Sequence, residues 1–231
     1  EKLLIGTDQE GGRVTRLPPP FTQYPPAAVW GELYRRGKKR EGEKLIYRIG
    51  HFMGRELASV GINLDFAPVM DVNSNPKNPI IGDRAFSQDP RGVIALTLPF
   101  ARGLREAGVI PCGKHFPGHG DTRTDSHKVL PRVNRSLPGL RQIELAPFQA
   151  AIRADIPMLM TAHVLYRSLD RKNPATLSRR ILQDLLRRKM SFKGVVISDD
   201  LHMKGVAAQH SLLESCLLAL EAGVDLLLVC K

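Results

Sequence analysis

Short apolar runs rich in Val, Ile and Leu alternate along the 231 residues with longer amphipathic stretches, the pattern of repeated βα units around a parallel sheet. Five of the six runs open directly into charged or polar side chains, and no linker, repeat or low-complexity segment divides the series. Together these observations predict one α/β domain, residues 1–231, of the (β/α)8 TIM-barrel type. That fold builds its site from the C-terminal ends of strands spread along the whole chain, whereas a flat doubly wound sheet would collect ligands mainly at its switch point.

The elements follow in order. Lys2 to Thr7 is the first strand and opens into Asp8-Gln9-Glu10. Leu45, Ile49, Phe52, Leu57 and Val60 fall at helical spacing. Ile62 to Phe66 is followed by Asp71, and Val109 to Cys112 by Lys114-His115. A helix is expected around Ile143, Phe148, Ala151 and Ile152. The run Pro157 to Thr161 then leads to His163. Helical spacing recurs at Ile181, Leu185 and Leu186 before Gly194 to Ser198, which ends in Asp199-Asp200. Leu212, Cys216 and Leu220 mark a last helix, and Val224 to Val229 a last strand. A complete barrel needs eight strands, so six runs predict that the first and last βα units are lacking from this chain. Two unpaired sheet edges would result.

An apolar content of 42% is enough for a sizeable core. No apolar run is long enough to span a bilayer, and the opening EKLLIGTDQEGG has neither a basic n-region nor a small-residue cleavage site. Three cysteines, Cys112, Cys216 and Cys230, with no CxxC pair, argue against a disulfide framework and for a reducing compartment. The formal charge of +11 is compatible with an anionic partner. However, clusters such as Arg35-Arg36-Gly37-Lys38-Lys39-Arg40 and Arg187-Arg188-Lys189 lack the interleaved aromatics on which bases stack. The expectation is therefore a protein that takes neither nucleic acid nor membrane as partner.

One segment is chemically denser than the rest. KHFPGHGDTRTDSH, Lys114 to His127, holds three histidines, two aspartates, a lysine and an arginine among two glycines and a proline. Pro117, Gly118 and Gly120 would interrupt any regular element, so it reads as a loop with backbone freedom and many titratable groups.

Five motifs, in this order, carry a family resemblance: Asp8-Gln9-Glu10-Gly11-Gly12-Arg13-Val14, Asp65-Phe66-Ala67-Pro68-Val69-Met70-Asp71-Val72, Lys114-His115-Phe116-Pro117-Gly118-His119-Gly120, Asp125-Ser126-His127 and Ser198-Asp199-Asp200-Leu201. They resemble the bacterial β-N-acetylhexosaminidases of glycoside hydrolase family 3. The resemblance runs from Ile5 through nearly all of the chain.

What it implies is a retaining, cofactor-free, metal-free exo-glycosidase, working as a monomer in the cytoplasm. Its substrate would be a small carbohydrate, the terminal β-linked N-acetylglucosamine of muropeptides in cell-wall recycling. Retention needs an attacking carboxylate and an acid that protonates the departing oxygen. Strand alternation lets only one of Asp199 and Asp200 face the mouth but does not set which. The resemblance selects Asp199 as nucleophile, and Asp200 suits the N-cap of a helix over Leu201 to Ala207.

His127 takes the acid/base role and Asp125 orients it. An imidazole with a reference pKa of about 6.5, raised by a neighbouring carboxylate, can replace the usual carboxylic acid. Asp8, Arg16, Arg84, Lys114 and His115 become sugar-hydroxyl ligands on the same resemblance. Glu10 is expected to hold loop backbone or Arg13, and His119 and Asp121 to serve loop structure. His163 reads equally as a mouth residue or a hydrogen-bonded core histidine.

Two alternatives share the scaffold. A metal-dependent hydrolase would use His115, His119, Asp121, Asp125, His127 and His163, although Pro117 and Gly118 rule out the helix that would align the first two. A phosphorolytic N-acetylglucosaminidase would pass the sugar to phosphate rather than to water.

Overall fold

A computed structural model describes residues 3–37, 39–124 and 130–230. Its main sheet contains five strands, all parallel: β1 (Gly6–Thr7), β2 (Leu64–Asp65), β3 (Ile110–Phe116), β5 (Met158–Thr161) and β7 (Val195–Ile197). Their spatial order follows chain order without a reversal. That order excludes a doubly wound sheet, in which the order must turn back on itself, and the fold is of the TIM-barrel type. The sixth predicted run lies beside β7, with one parallel bridge from Ile197 to Leu226 and Leu226 N–H donating to the Val196 carbonyl. Two short strands outside the sheet, β4 (Arg132–Val133) and β6 (Leu165–Tyr166), pair with each other, which the sequence did not suggest.

The helices are α1 (Ala27–Arg35), α2 (Lys39–Ser59), α3 (Pro90–Glu106), α4 (Leu137–Gln142), α5 (Leu145–Arg153), α6 (Lys204–Ala207) and α7 (Leu212–Ala222), with a π-helical stretch at Arg180–Lys189. Three of the four expected helices coincide with single elements, whereas Ile143 falls between α4 and α5. α3 went unread because Pro90 starts it and Pro99 lies inside it, and proline usually marks an end rather than an interior. It is nonetheless well specified, with an Asp89 cap on the Arg91 amide and Val93, Leu96, Phe100 and Leu104 buried. α2 and α3 approach closely at Gly50 and Gly103, where an added Cβ would lie 2.3 Å from the facing carbonyl oxygens of Phe100 and Tyr47.

α7 presents the opposite face from the one the spacing predicted. Ser215, Ala219 and Ala222 are buried, while Leu213, Leu217 and Leu220 are exposed. The buried stripe is thus made of small residues rather than of the large apolar ones.

Three apolar clusters organise the interior. One fills the space between the sheet and the helices of the second half, and another joins α1, α2 and α3. The third is the barrel lumen, where Leu64, Phe66, Cys112, Met158, Met160 and Ile197 pack together. Alternation along the strands places Val196 in the outer cluster and Val195 and Ile197 in the lumen.

Candidate active site

The alternation that fills the lumen also builds its mouth. Cys112, Met158 and Ile197 are lumen residues, and two positions further on come Lys114, Met160 and Asp199. All three line a cavity of about 310 Å³ at the strand ends. Asp8, Arg16, Arg84, His115, His119, Asp200 and Cys230 also line it. Asp199 continues the inward series Val195–Ile197, and because β7 ends at Ile197 Asp200 lines the cavity as well, so the expectation that only one of the pair would face the mouth is not met.

Beyond β1 and β3 the charges are paired. The Lys114 ammonium, almost wholly buried, lies 2.5 Å from Asp8 Oδ1 and 2.6 Å from Glu10 Oε1. Arg84 grips Glu10 with both arms of its guanidinium, Nε to Oε2 and Nη2 to Oε1, each 2.8 Å. Burial pushes the Glu10 carboxyl up, but the charge of Lys114 and then Arg84 outweigh it and bring it down to about 2. The same acids hold Lys114 above its ordinary value against its own burial. Arg13, the expected partner of Glu10, binds Asp83 and the Ile80 carbonyl instead. Glu10 is thus a hub of the pocket wall. Its nearness to Asp8 in the sequence was visible, but its two cations come from 74 and 104 residues away and no local pattern pairs them.

Lys114 and His115 lie within β3, which continues four residues past its predicted end. Asp71, wholly buried, accepts from the backbone amides of His115 (3.2 Å) and His119 (2.6 Å) through Oδ1 and meets His115 Nδ1 at 2.7 Å through Oδ2. Burial works against its charge, yet His115, and then His119 and its amide, keep the carboxyl below the usual range. The carboxylate leaves Nε2 as the free face of the His115 ring. Asp71 was seen at a strand end but not as the group that aims His115.

At the β7 end, Asp199 accepts the Asp200 amide at 2.9 Å and has no ion pair within contact distance among the described residues. Burial opposes its ionisation, but His163, His115, that amide and Lys114 hold its carboxyl below the ordinary value. Asp200 does not cap a helix. Its Oδ1 accepts the amides of His202 and Cys230, closing a turn, and α6 begins only at Lys204.

His163 is a buried core histidine held between Thr176 Oγ1 (2.7 Å) and the Asp200 carbonyl (2.9 Å), and burial lowers its pKa. It therefore braces the turn that carries Asp199. Arg16 is exposed at the cavity rim. His119 is buried, its pKa brought down to about 4 by burial and by His115, and it contacts Thr122 Oγ1. Asp121 pairs with Arg135. Asp125 and His127 lie outside the described residues. Among the described residues no three His, Cys, Asp or Glu side chains converge to hold a metal, and no helix is long and apolar enough to cross a membrane.

Comparison with known proteins points one way. Residues 2–231 match the family described as Glycosyl hydrolase family 3 N terminal domain. A beta-hexosaminidase of Neisseria meningitidis serogroup C is 41% identical over 230 residues, all of this chain and 63% of the relative, so the chain spans somewhat under two thirds of that protein. A glycoside hydrolase family 3 beta-N-acetylglucosaminidase from a Paenibacillus strain superposes with a TM-score of 0.94 at 42% identity, over 99% of this chain and 42% of that one. NagZ from Neisseria gonorrhoeae, solved in complex with N-trifluoroacetyl-D-glucosamine, gives 0.91 at 39% identity over 99% of this chain and 65% of that one. On its sequence and on the strand-end cluster just described, the chain belongs to glycosyl hydrolase family 3, whose N-terminal domain it represents.

Proposed function

We propose that the chain is the catalytic domain of a retaining exo-β-N-acetylhexosaminidase. The observation that carries the reading is Asp199, an inward-facing carboxylate with no salt bridge among the described residues, on the wall of a cavity whose other walls carry Asp8, Arg84, Lys114 and His115. At about 310 Å³ the cavity is at the small end of ligand pockets. That size suits one terminal sugar, and the N-acetylglucosamine derivative bound by the gonococcal relative supports the same class of ligand here.

In this reading Asp8, Arg84, Lys114 and His115 Nε2 bind ring hydroxyls, with Arg16 at the rim. The Asp199 carboxylate attacks the anomeric carbon and forms a covalent glycosyl ester, while His127, oriented by Asp125, gives its proton to the departing oxygen. Water, deprotonated by the same imidazole, then attacks the anomeric carbon and releases the sugar and the free Asp199 carboxylate. The aglycone is a muropeptide fragment of peptidoglycan, and the setting is the cytoplasm.

A chromogenic N-acetyl-β-glucosaminide tests the reading. Asp199→Asn should lose at least about a thousandfold in kcat with its fold intact. Added azide should return turnover as the glycosyl azide. Full activity in excess chelator and an unchanged product with added phosphate are expected. Retained activity in Asp199→Asn would overturn the proposal.

A further inference from the structure

The two feet of the chain on either side of Asp125 and His127 are anchored to different parts of the barrel. The incoming foot is held on the β2 side. His119 N–H donates to Asp71, and Asn78 Nδ2 donates to the carbonyls of His119 (2.8 Å) and Gly120 (3.0 Å) and to Thr122 Oγ1 (3.1 Å). Asn75 Nδ2 adds the Thr122 carbonyl at 2.9 Å. Gly120 presses so closely on this wall that a Cβ would fall 1.6 Å from the Val72 carbonyl oxygen. The outgoing foot is held on the β6 side. Leu165 N–H donates to the Pro131 carbonyl, Arg132–Val133 pairs with Leu165–Tyr166, and Ser168 Oγ donates to the Arg135 carbonyl at 2.8 Å.

Among the described residues, Arg135 bridges the two feet directly, and Tyr166, on the strand that pairs with the outgoing foot, reaches the incoming one. Tyr166 donates its hydroxyl to the Gly118 carbonyl at 2.6 Å. Arg135, on the outgoing foot, reaches Asp121 Oδ1 on the incoming foot with Nη2 at 3.1 Å, and the same guanidinium lies 3.1 Å from Glu144 Oε1 through Nε and 3.4 Å from Ser74 Oγ. Glu144 is wholly buried beside α5; its Oε2 and Arg135 Nε have no hydrogen-bond partner among the described residues, so Arg135 meets Glu144 as an ion pair without hydrogen-bond geometry. An exposed ion pair would contribute next to nothing, but Arg135 and Asp121 are only about a quarter exposed. A buried acid also leaves the guanidinium little freedom to swing away.

We infer that Arg135, seated on Glu144 and clasping Asp121, is a positioning residue that fixes where the segment between the two feet leaves and re-enters the barrel, and so sets the reach of its proton-transfer group. The inference rests on the reading of His127 as the acid. It assigns Arg135 no contact with sugar. Loss of the clasp should harm the step that needs a proton delivered to the leaving oxygen and spare binding of the terminal sugar.

The test measures kcat and KM of Arg135→Ala, Arg135→Lys, Asp121→Asn and His127→Ala in the full-length protein. Two N-acetyl-β-glucosaminides are compared, one with an acidic phenol leaving group and one with a poor alkyl leaving group, and thermal melts check the fold. Arg135→Ala should lower kcat on the alkyl glycoside by about a hundredfold and on the phenyl glycoside several-fold at most, with KM almost unchanged. Lysine or added guanidinium should restore part of the loss. Asp121→Asn, which opens the clasp without exposing Glu144, should show the same split in smaller measure and keeps the test valid if Arg135→Ala fails to fold. Equal loss on both substrates, or an effect confined to KM, would overturn the inference. If His127→Ala splits the substrates and neither clasp variant does, the inference fails alone. A split for the clasp variants with none for His127→Ala keeps the clasp and removes His127 as the group it positions.

Discussion

The two sides of the mouth solve opposite problems. Beyond β1 and β3, two carboxylates and two cations form a closed network, with Lys114 on both Asp8 and Glu10 and Arg84 forked onto Glu10. At the end of β7, Asp199 meets no cation in contact among the described residues and accepts the amide of its neighbour. A buried charge is tolerable when it is paired and hydrogen-bonded, so the first side is held in place, as the proposed binding of sugar hydroxyls there would need. In the proposed reaction Asp199 forms a bond to carbon, and a carboxylate in that role cannot be tied up in the same way. Its negative charge is instead favoured from a distance by His163, His115 and Lys114 against burial. The difference separates groups that hold from a group suited to react.

The largest effect expected from this contrast is on stability. Lys114→Met leaves Asp8 and Glu10 without their shared cation, and breaking a buried pair from one side costs about 3–5 kcal/mol. In a domain of this size the midpoint of a thermal melt should fall by roughly 10 °C. Asp199→Asn should melt within a few degrees of the parent while losing its activity. A Tm loss at Asp199 as large as that at Lys114 would break the contrast, because Asp199 would then be a structural charge as well.

The neck of the segment after β3 is an intermediate case, with buried titratable groups only partly compensated. Burial raises the Glu144 carboxyl to about 7, more than Arg135 can offset, and with Asp121 adding to the rise. An acid raised on folding stabilises fully below its unfolded value of 4.5, and that contribution is lost as pH climbs through 7. His119, lowered to about 4, behaves the other way: its contribution is present above 6.5 and lost as pH falls through 4. The shift at Glu144 corresponds to roughly 3 kcal/mol when fully expressed. Melts of Glu144→Gln against the parent should therefore show the variant gaining as pH rises from about 5 to 8. His119→Gln should gain as pH falls from 6.5 toward 4. A difference flat with pH in either case would mean that the group is solvated in the folded state.

The sequence was informative where chemistry and period coincide. Val195, Ile197 and Asp199 share one side of a strand, and a short apolar run ending in Asp-Asp announces both the strand and the polar mouth. It was silent where partners are distant or small. Nothing near Glu10 reveals that Arg84 and Lys114 will close on it, and nothing in Arg135 itself names Asp121 and Glu144, because pairing of charges is decided by tertiary approach. α7 misled because the residues it buries, Ser215, Ala219 and Ala222, carry little hydrophobic signal. α3 was hidden by Pro99, whose cost the buried face of Val93, Leu96, Phe100 and Leu104 offsets.

The smallest effect expected is at Asp65, and it tests the charge balance of the holding side most directly. Asp65 is wholly buried on β2, accepts the Gln9 amide through Oδ1 at 3.0 Å, and leaves Oδ2 with no hydrogen-bond partner among the described residues. Burial drives its carboxyl well above the usual range, and neither the Gln9 amide nor the charge of Lys114 brings it back. Burial thus favours the uncharged acid at this position, and with Asp65 in that form the holding side counts two negative groups, Asp8 and Glu10, against two positive ones. Asp65→Asn keeps the shape and the acceptor for Gln9 and removes no charge, so its cost should stay under about 1 kcal/mol and should not change between pH 6 and 8. A loss approaching that of Lys114→Met would mean that Asp65 is ionised. Three carboxylates would then share two cations, and the side of the mouth described as closed would carry an unanswered charge of its own.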